Sequence, residues 1–266
     1  MGMRRKAVFF DIDGTLWDEQ SVMPDSVWAA IREMKAAGHA VLICSGRSRG
    51  YVFDERLDEL GFDGYVTSAG AMVEIGGKTL HCKLAPPDAL VSAVNAARAH
   101  HYAPLLEGNR YLYMERAEFI PSRYIDKLYR ELGERIQPLN RDFGHWPDVP
   151  KLSMIAAGTP CPEPVIDAVR KDWDVVVHMP EVLELMPRGV DKGTGLGLAL
   201  AALGISREDS IAFGDSPNDL SMFRESGLKI AMGNGSPALK AKADYVTAAL
   251  HDDGLWKAWQ WLKETA

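Results

Sequence analysis

Ala7-Val8-Phe9-Phe10-Asp11-Ile12-Asp13-Gly14-Thr15 is the stretch that decides the fold of this chain. Four apolar residues in a row, with no polar alternation, predict a short strand buried on both faces, as in a parallel sheet. Charge begins where the strand stops. Two aspartates two residues apart, followed by glycine, can both face one small site as the chain leaves the sheet. One carboxylate can then act as nucleophile and metal ligand while the other moves protons for the leaving group and for water. Taken alone, the same string also suits an acidic turn.

Outward from that strand the pattern alternates. A helix is expected from Pro24-Asp25-Ser26, with Val27, Ile31 and Met34 on one face and Gly38 at its end. Ala40–Cys44 reads as a second buried strand running into Ser45-Gly46-Arg47, and a short helical cycle over 52–60 leads to a strand at Tyr65-Val66-Thr67. The alternation returns late. Lys192–Leu203 is expected as a helix, Ser210-Ile211-Ala212-Phe213 as a strand ending at Gly214-Asp215, then a strand over 229–232, a helix over 237–242 and a strand over 245–247. Strands alternating with helices imply an α/β fold with a parallel sheet and right-handed crossovers. Ligands in such sheets sit beyond the carboxyl ends of the strands, where Asp11, Ser45 and Asp215 all fall.

The middle of the chain has more strands per helix. Helices over 88–101 and 164–171 accompany strand-like runs over 110–114, 151–156, 175–177 and 182–185. This predicts an α+β insert over roughly residues 82–186, with hinges at Pro86-Pro87 and Pro187-Arg188-Gly189.

Composition narrows the function. A chain of 266 residues with 47% hydrophobic and 25% charged residues can bury one large core or two modest ones. A net charge of -7 argues against a broad basic surface, so no nucleic-acid partner is expected. Cys44, Cys82 and Cys161 are widely spaced and fit neither a disulfide framework nor a zinc site. The apolar run after Lys6 is too short for a signal peptide, no lipidation signal is read, and no stretch has the length of a membrane span. A cytoplasmic location without a membrane partner is expected, and the oligomeric state is left open.

Three further pieces carry chemistry. Gly214-Asp215-Ser216-Pro217-Asn218-Asp219 follows an apolar strand, and a carboxylate there could complete an oxygen-rich magnesium site or merely cap a helix. Ser45-Gly46-Arg47 offers a hydroxyl and free backbone N–H groups at a strand-to-helix turn, suited to phosphate oxygens or to a plain N-cap. Lys192, near a helix start, is a candidate cation or a solvated surface charge. In fixed order beside strand and helix ends, the four pieces make up the set that phosphoryl transfer needs. Gly193-Thr194-Gly195-Leu196-Gly197 departs from the dinucleotide fingerprint, and helix packing accounts for its glycines better. Leu255, Trp256, Trp259 and Leu262, at helical spacing, are read as core. Tyr111 and Tyr113, with Glu107 and Arg110, are read as sheet packing in preference to a substrate contact.

At these residues the chain resembles the haloacid dehalogenase superfamily. Asp11-Ile12-Asp13-Gly14-Thr15 is similar to its motif I, Ser45 to motif II, Lys192 to motif III and Gly214–Asp219 to motif IV. The long insert and Glu184-Leu185-Met186-Pro187-Arg188-Gly189-Val190-Asp191-Lys192-Gly193 resemble the Cof-type group with a C2 cap. The resemblance implies a Rossmann-like core over 1–81 and 187–266, an α/β cap over 82–186, and magnesium-dependent hydrolysis of small phosphorylated metabolites such as sugar phosphates. It further implies that Asp11 is the nucleophile and Asp13 the acid and base. Asp11, the Asp13 carbonyl and Asp215 would hold Mg2+; Ser45, Gly46, Lys192 and Asn218 would bind the phosphoryl group, with Asp219 in support. A sugar phosphomutase of the same fold and a non-catalytic phosphometabolite-binding protein are the rival readings. Where many relatives have Asn-Gly-Ala, this chain has Ala69-Gly70-Ala71.

Overall fold

The computed structural model of the chain describes residues 4–141, 144–146 and 148–265. In chain order the elements are β1 (Ala7–Phe10), α1 (Asp25–Ala36), β2 (Ala40–Cys44), α2 (Glu55–Leu60), β3 (Gly64–Thr67), β4 (Met72–Ile75) and β5 (Lys78–Cys82). Then follow α3 (Pro87–Ala99), β6 (Tyr102–Glu107), β7 (Leu112–Tyr113), α4 (Arg123–Leu132), β8 (Ile136–Gln137), β9 (Lys151–Ala156), α5 (Pro162–Val169), β10 (Trp173–Met179) and β11 (Val182–Pro187). The last are α6 (Lys192–Leu203), β12 (Ser210–Gly214), α7 (Leu220–Glu225), β13 (Leu228–Ala231), α8 (Pro237–Lys240), β14 (Tyr245–Val246) and α9 (Gly254–Thr265). Two compact units divide them. The first takes in the described residues up to Gly46, Asp54–His81 and those from Asp191 onward; the second takes in Arg47–Phe53 and Cys82–Val190.

The first unit is built on an eight-stranded sheet in the order β14-β13-β12-β1-β2-β3-β4-β5. From β14 to β3 every pairing is parallel, and β4 joins β3 antiparallel. All four residues of β1 are buried, because both faces of the strand are covered. Phe9, Leu42 and Val66 meet Leu196, Leu200 and Phe223 on one face. On the other, Phe10 stacks on Phe213 with ring centroids 5.1 Å apart. α1 buries Val27, Ala30, Ile31 and Met34, and α9 buries Leu255, Trp259 and Leu262, so the helical spacing marks core there, whereas Trp256, read as core with them, is only half-buried under the Lys263 ammonium. The Trp259 indole donates to Glu33 at 2.8 Å, satisfying its one polar atom. The chain moves from β1 to β2 and β3 on one side, and from β12 to β13 and β14 on the other. The point where this order reverses lies between β1 and β12, where a parallel sheet opens a crevice at its carboxyl end.

The second unit has a six-stranded sheet in the order β10-β11-β9-β6-β7-β8, antiparallel except for β7 with β8. One face carries α3 and α5, with Leu90, Val94, Val165 and Val169 packed against the Leu106, Leu152 and Leu185 side of the sheet. The other carries α4, whose Ile125, Leu128 and Leu132 join Ala103, Leu105 and Leu112. Pro86 and Pro87 open α3, where a missing N–H costs nothing. The strand expected over 110–114 is reduced to Leu112–Tyr113, because Gly108 N–H bonds the Tyr111 carbonyl at 2.9 Å and closes a turn.

Close packing also explains the glycines of α6. A Cβ on Gly195 would lie 2.5 Å from Val66 Cγ1 and 2.7 Å from Gly70 Cα, whereas one on Gly197 would meet nothing within 4 Å. Gly195→Ala should therefore cost about 2 kcal/mol by forcing α6 off the sheet. Gly197→Ala should gain about 0.5 kcal/mol through helix propensity. Urea midpoints check both, and equal effects of the two substitutions would contradict this packing.

Candidate active site

β1 ends in Asp11, whose N–H extends the ladder by donating to the Phe213 carbonyl at 3.0 Å. Its side chain is then delivered to the crevice almost fully buried, at 4% exposure. The chain next folds tightly on itself: the Ile12 carbonyl accepts from Leu16 N–H at 2.8 Å, and Gly14 N–H donates to the Trp17 carbonyl at 2.8 Å. This turn leaves Asp13 exposed, its carboxylate accepting from the Trp17 indole N–H at 3.2 Å. Gly14 has φ +81°, and a Cβ there would run into the Asp215 carboxylate. Only glycine allows the first loop to approach the second so closely.

β12 lies beside β1 and supplies that second loop. Asp219 is fully buried, and its Oδ2 accepts the backbone N–H groups of Asp215 and Ser216 at 3.0 Å each. Its Oδ1 faces Lys192 Nζ at 2.7 Å, and Asp11 Oδ1 lies 2.7 Å from the same ammonium. Lys192 is the first residue of α6, which is held by a capping box: Asp191 accepts from Thr194 N–H at 2.7 Å. At 1% exposure Lys192 is not a solvated surface charge.

Asp11, Asp215 and Asp219 each present a carboxylate oxygen, and the three oxygens lie within 4.8 Å of one another. Burial works against the Lys192 charge, but Asp11 and Asp219 outweigh it and hold the ammonium far above its ordinary range. Burial raises Asp11 well above the usual carboxylate range; Lys192 opposes this, while Asp219, Asp215 and Asp13 add to it. Burial and then Asp219 push Asp215 up to about 7, again against Lys192. Asp215 Oδ1 is buried with no hydrogen-bond partner among the described residues. Three carboxylates around one ammonium leave negative charge uncompensated, and the orphaned oxygen marks where it is least satisfied. An all-oxygen donor set of this kind fits a hard divalent cation.

Ser45 sits at the end of β2, 1% exposed. The open strand-to-helix turn expected there is absent. The next helix starts only at Glu55, Ser45 N–H donates to the Val66 carbonyl at 2.8 Å, and its carbonyl takes Ala69 N–H at 3.1 Å. Pairing with β3 and the turn at Ala69 thus use both backbone polar groups of Ser45. A Cβ on Gly46 would come 3.8 Å from Asn218 Nδ2, and Asn218 Oδ1 accepts from the Ser216 hydroxyl at 2.7 Å. The structure thus joins Asp11, Lys192, Asp215 and Asp219 directly, sets Gly46 near Asn218, and leaves Asp13 at the exposed rim. One feature went unread in the sequence. Ser68 and Ala69 have φ of +51° and +52° ahead of Gly70 at +100°, a left-handed run that asparagine accepts more easily than alanine. Gly70 was its one visible signal.

A family model for haloacid dehalogenase-like hydrolases matches residues 8–259. The Bacillus subtilis protein YkrA is 27% identical over 257 residues, covering 95% of this chain and 96% of its own. A second Bacillus subtilis protein, the 5-amino-6-(5-phospho-D-ribitylamino)uracil phosphatase YwtE, is 26% identical, covering 94% of this chain and 95% of its own. Among solved structures, a protein from Geobacillus kaustophilus HTA426 is 26% identical with a TM-score of 0.84, covering 98% of this chain and 99% of that one.

The uncompensated charge has a measurable consequence. An aspartate whose folded pKa exceeds its unfolded value binds its proton more tightly when folded, so stability falls as pH rises between the ordinary 3.8 and about 7. In EDTA, Asp215→Asn should therefore raise Tm at about pH 8, with the gain shrinking as pH falls toward about 4. An unchanged or lower Tm at the higher pH would mean that the protein alone compensates this carboxylate.

Proposed function

Because the chain belongs to the haloacid dehalogenase-like hydrolases, we propose that it is a phosphatase that hydrolyses small phosphorylated metabolites, sugar phosphates among them, through an aspartyl-phosphate on Asp11. The observation that carries this reading is the Asp11 carboxylate, buried at the sheet's reversal point, fixed by Lys192 and crowded by Asp215 and Asp219. Residues 1–81 and 187–266 serve as the catalytic core and 82–186 as the C2-type cap.

In this reading the carboxylates of Asp11 and Asp215 and the backbone carbonyl of Asp13 hold Mg2+. When bound, the cation offsets the carboxylate charge and draws electron density from the phosphoryl oxygens. Lys192, itself positioned by Asp219, orients Asp11 and contributes positive charge to the phosphoryl group. Ser45, Gly46 and Asn218 bind the remaining phosphoryl oxygens. Asp11 attacks phosphorus, and Asp13 protonates the departing oxygen. Asp13 then takes a proton from the water that opens the acyl phosphate, so one carboxyl group serves both half-reactions. Its exposure suits a group that must exchange protons with solvent, as the burial of Asp11 suits a nucleophile.

EDTA should abolish phosphate release, magnesium should restore it, and calcium should support it poorly, because calcium takes more ligands at longer distances. Full activity in EDTA, or equal activity with calcium, would contradict the metal site. The two aspartates separate by leaving group. Asp13→Asn should give a burst of nitrophenolate from p-nitrophenyl phosphate, approaching about one equivalent per enzyme, followed by a slow steady rate. Alkyl phosphates, which need the proton, should show neither phase. Asp11→Asn should be inert on both. A burst from Asp11→Asn would reverse the assignment, and an isomerised sugar phosphate in place of free phosphate would identify a mutase.

A further inference from the structure

The second unit holds a cleft of about 510 Å³ lined by Arg110, Tyr111, Glu134, Arg135 and Gln137, a size that suits a small organic molecule. Its two arginines rest on aromatic rings without an acid partner among the described residues. Three other arginines that lie over rings are also paired with acids: Arg32 over Trp28 meets Glu59 at 2.9 Å, Arg56 over Trp17 meets Asp54 at 2.6 Å, and Arg116 over Tyr129 meets Asp126 at 2.6 Å. Arg135 lies over the Phe53 ring, 3.6 Å from its centroid, and Arg110 over the Tyr111 ring at 5.4 Å. Neither guanidinium has an ion-pair partner among the described residues. Asp148 accepts the backbone N–H of Arg110 at 2.9 Å and the Tyr113 hydroxyl at 3.2 Å. It therefore fixes the loop that carries Arg110. Glu134 also lines the cleft, one exposed carboxylate against two guanidinium groups.

An aromatic face holds a guanidinium by its flat side and leaves the N–H fork at its edge open for a planar or tetrahedral oxyanion. Gln137 Nε2 donates to the Glu134 carbonyl at 2.7 Å, fixing the turn that presents Arg135. Gly50, Gly108 and Arg110 meet so closely that a Cβ on Gly50 would lie 2.7 Å from the Gly108 carbonyl oxygen, which packs the Arg110 loop tightly. Two positioned cations in a chain of net charge -7 form a local field unlike the whole. We propose that this cleft binds an oxyanion, the phosphate or carboxylate group of a small organic molecule, between Arg110 and Arg135, with the Tyr111 ring against its carbon frame.

The reading of Tyr111 and Tyr113 as a single packing cluster therefore divides. Tyr113 bonds Asp148 and packs on the sheet core, whereas Tyr111 faces the cleft.

Calorimetric titration with inorganic phosphate in EDTA and low salt tests the site directly. Without a divalent cation the carboxylate cluster of the first unit repels phosphate, so heat released reports on the arginine cleft. The wild-type chain should bind about one equivalent, Arg110→Ala/Arg135→Ala should weaken binding roughly 100-fold, and Arg135→Lys about tenfold, since lysine keeps the charge and loses the fork. Arg135→Lys guards against the double variant failing to fold. No binding by the wild type, or equal binding by the double variant, would overturn the proposal. Turnover then identifies the source of the anion, and this arm alone rests on the phosphatase reading. If the substrate carries it, the double variant loses kcat/KM on a sugar bisphosphate but keeps it on the matching monophosphate. If a free effector carries it, added sulfate changes monophosphate turnover in the wild type and not in the variant.

Discussion

The buried ammonium of Lys192, 2.7 Å from Asp11 and 2.7 Å from Asp219, is the interaction on which the rest of the site depends. It joins the end of β1, the first residue of α6 and the turn after β12, three segments far apart in sequence. A charge removed from water at this cost persists only if its partners stay in place, so the packing around it tolerates little change. Gly14 against Asp215, Gly214 against Asp219 and Gly70 against Asp191 and Gly195 are positions where a Cβ would force these segments apart. The arrangement is also incomplete as a charge balance. One ammonium cannot neutralise three carboxylates, and the raised pKa values of Asp11 and Asp215 express that deficit.

The same geometry gives two neighbouring aspartates opposite environments. Asp11 continues a fully buried strand and shares its carboxylate with Lys192. Asp13, two residues on, has left the sheet, faces solvent and accepts the Trp17 indole N–H at 3.2 Å. Environment assigns roles to otherwise identical groups, and in the proposed reading it makes one the nucleophile and the other the proton carrier. The Gly14 turn, left-handed at φ +81°, produces that divergence within two residues.

Much of this was legible in the sequence for definite physical reasons. The apolar runs of β1, β2 and β12 have no polar alternation because both faces are covered, and the helix expected over Lys192–Leu203 has those bounds in the structure. Asp11, Ser45 and Asp215 were gathered by their common place beyond strand ends, and Asp219 entered through the resemblance of Gly214–Asp219 to a family motif. Local features that depend on tertiary partners were harder. β6 contains Pro104 and ends in Glu107, a residue that looks like a turn until Ser153 and Lys151 are found bonded to its carboxylate. α4 escaped notice because its face of Ile125, Leu128 and Leu132 is short and set among charges. Ser45 looked like an open phosphate cradle because pairing with β3 cannot be read from Ser45-Gly46-Arg47 alone.

A phosphatase of the proposed kind must form a covalent bond between Asp11 and phosphorus during turnover. Rapid quench of the wild-type enzyme during turnover with magnesium, followed by borohydride reduction and peptide mass mapping, reads that bond directly, because hydride converts an acyl phosphate to the alcohol. The predicted result is homoserine at position 11, dependent on both substrate and magnesium. Homoserine at position 13 or 215, or an unmodified Asp11 under conditions of steady phosphate release, would contradict it.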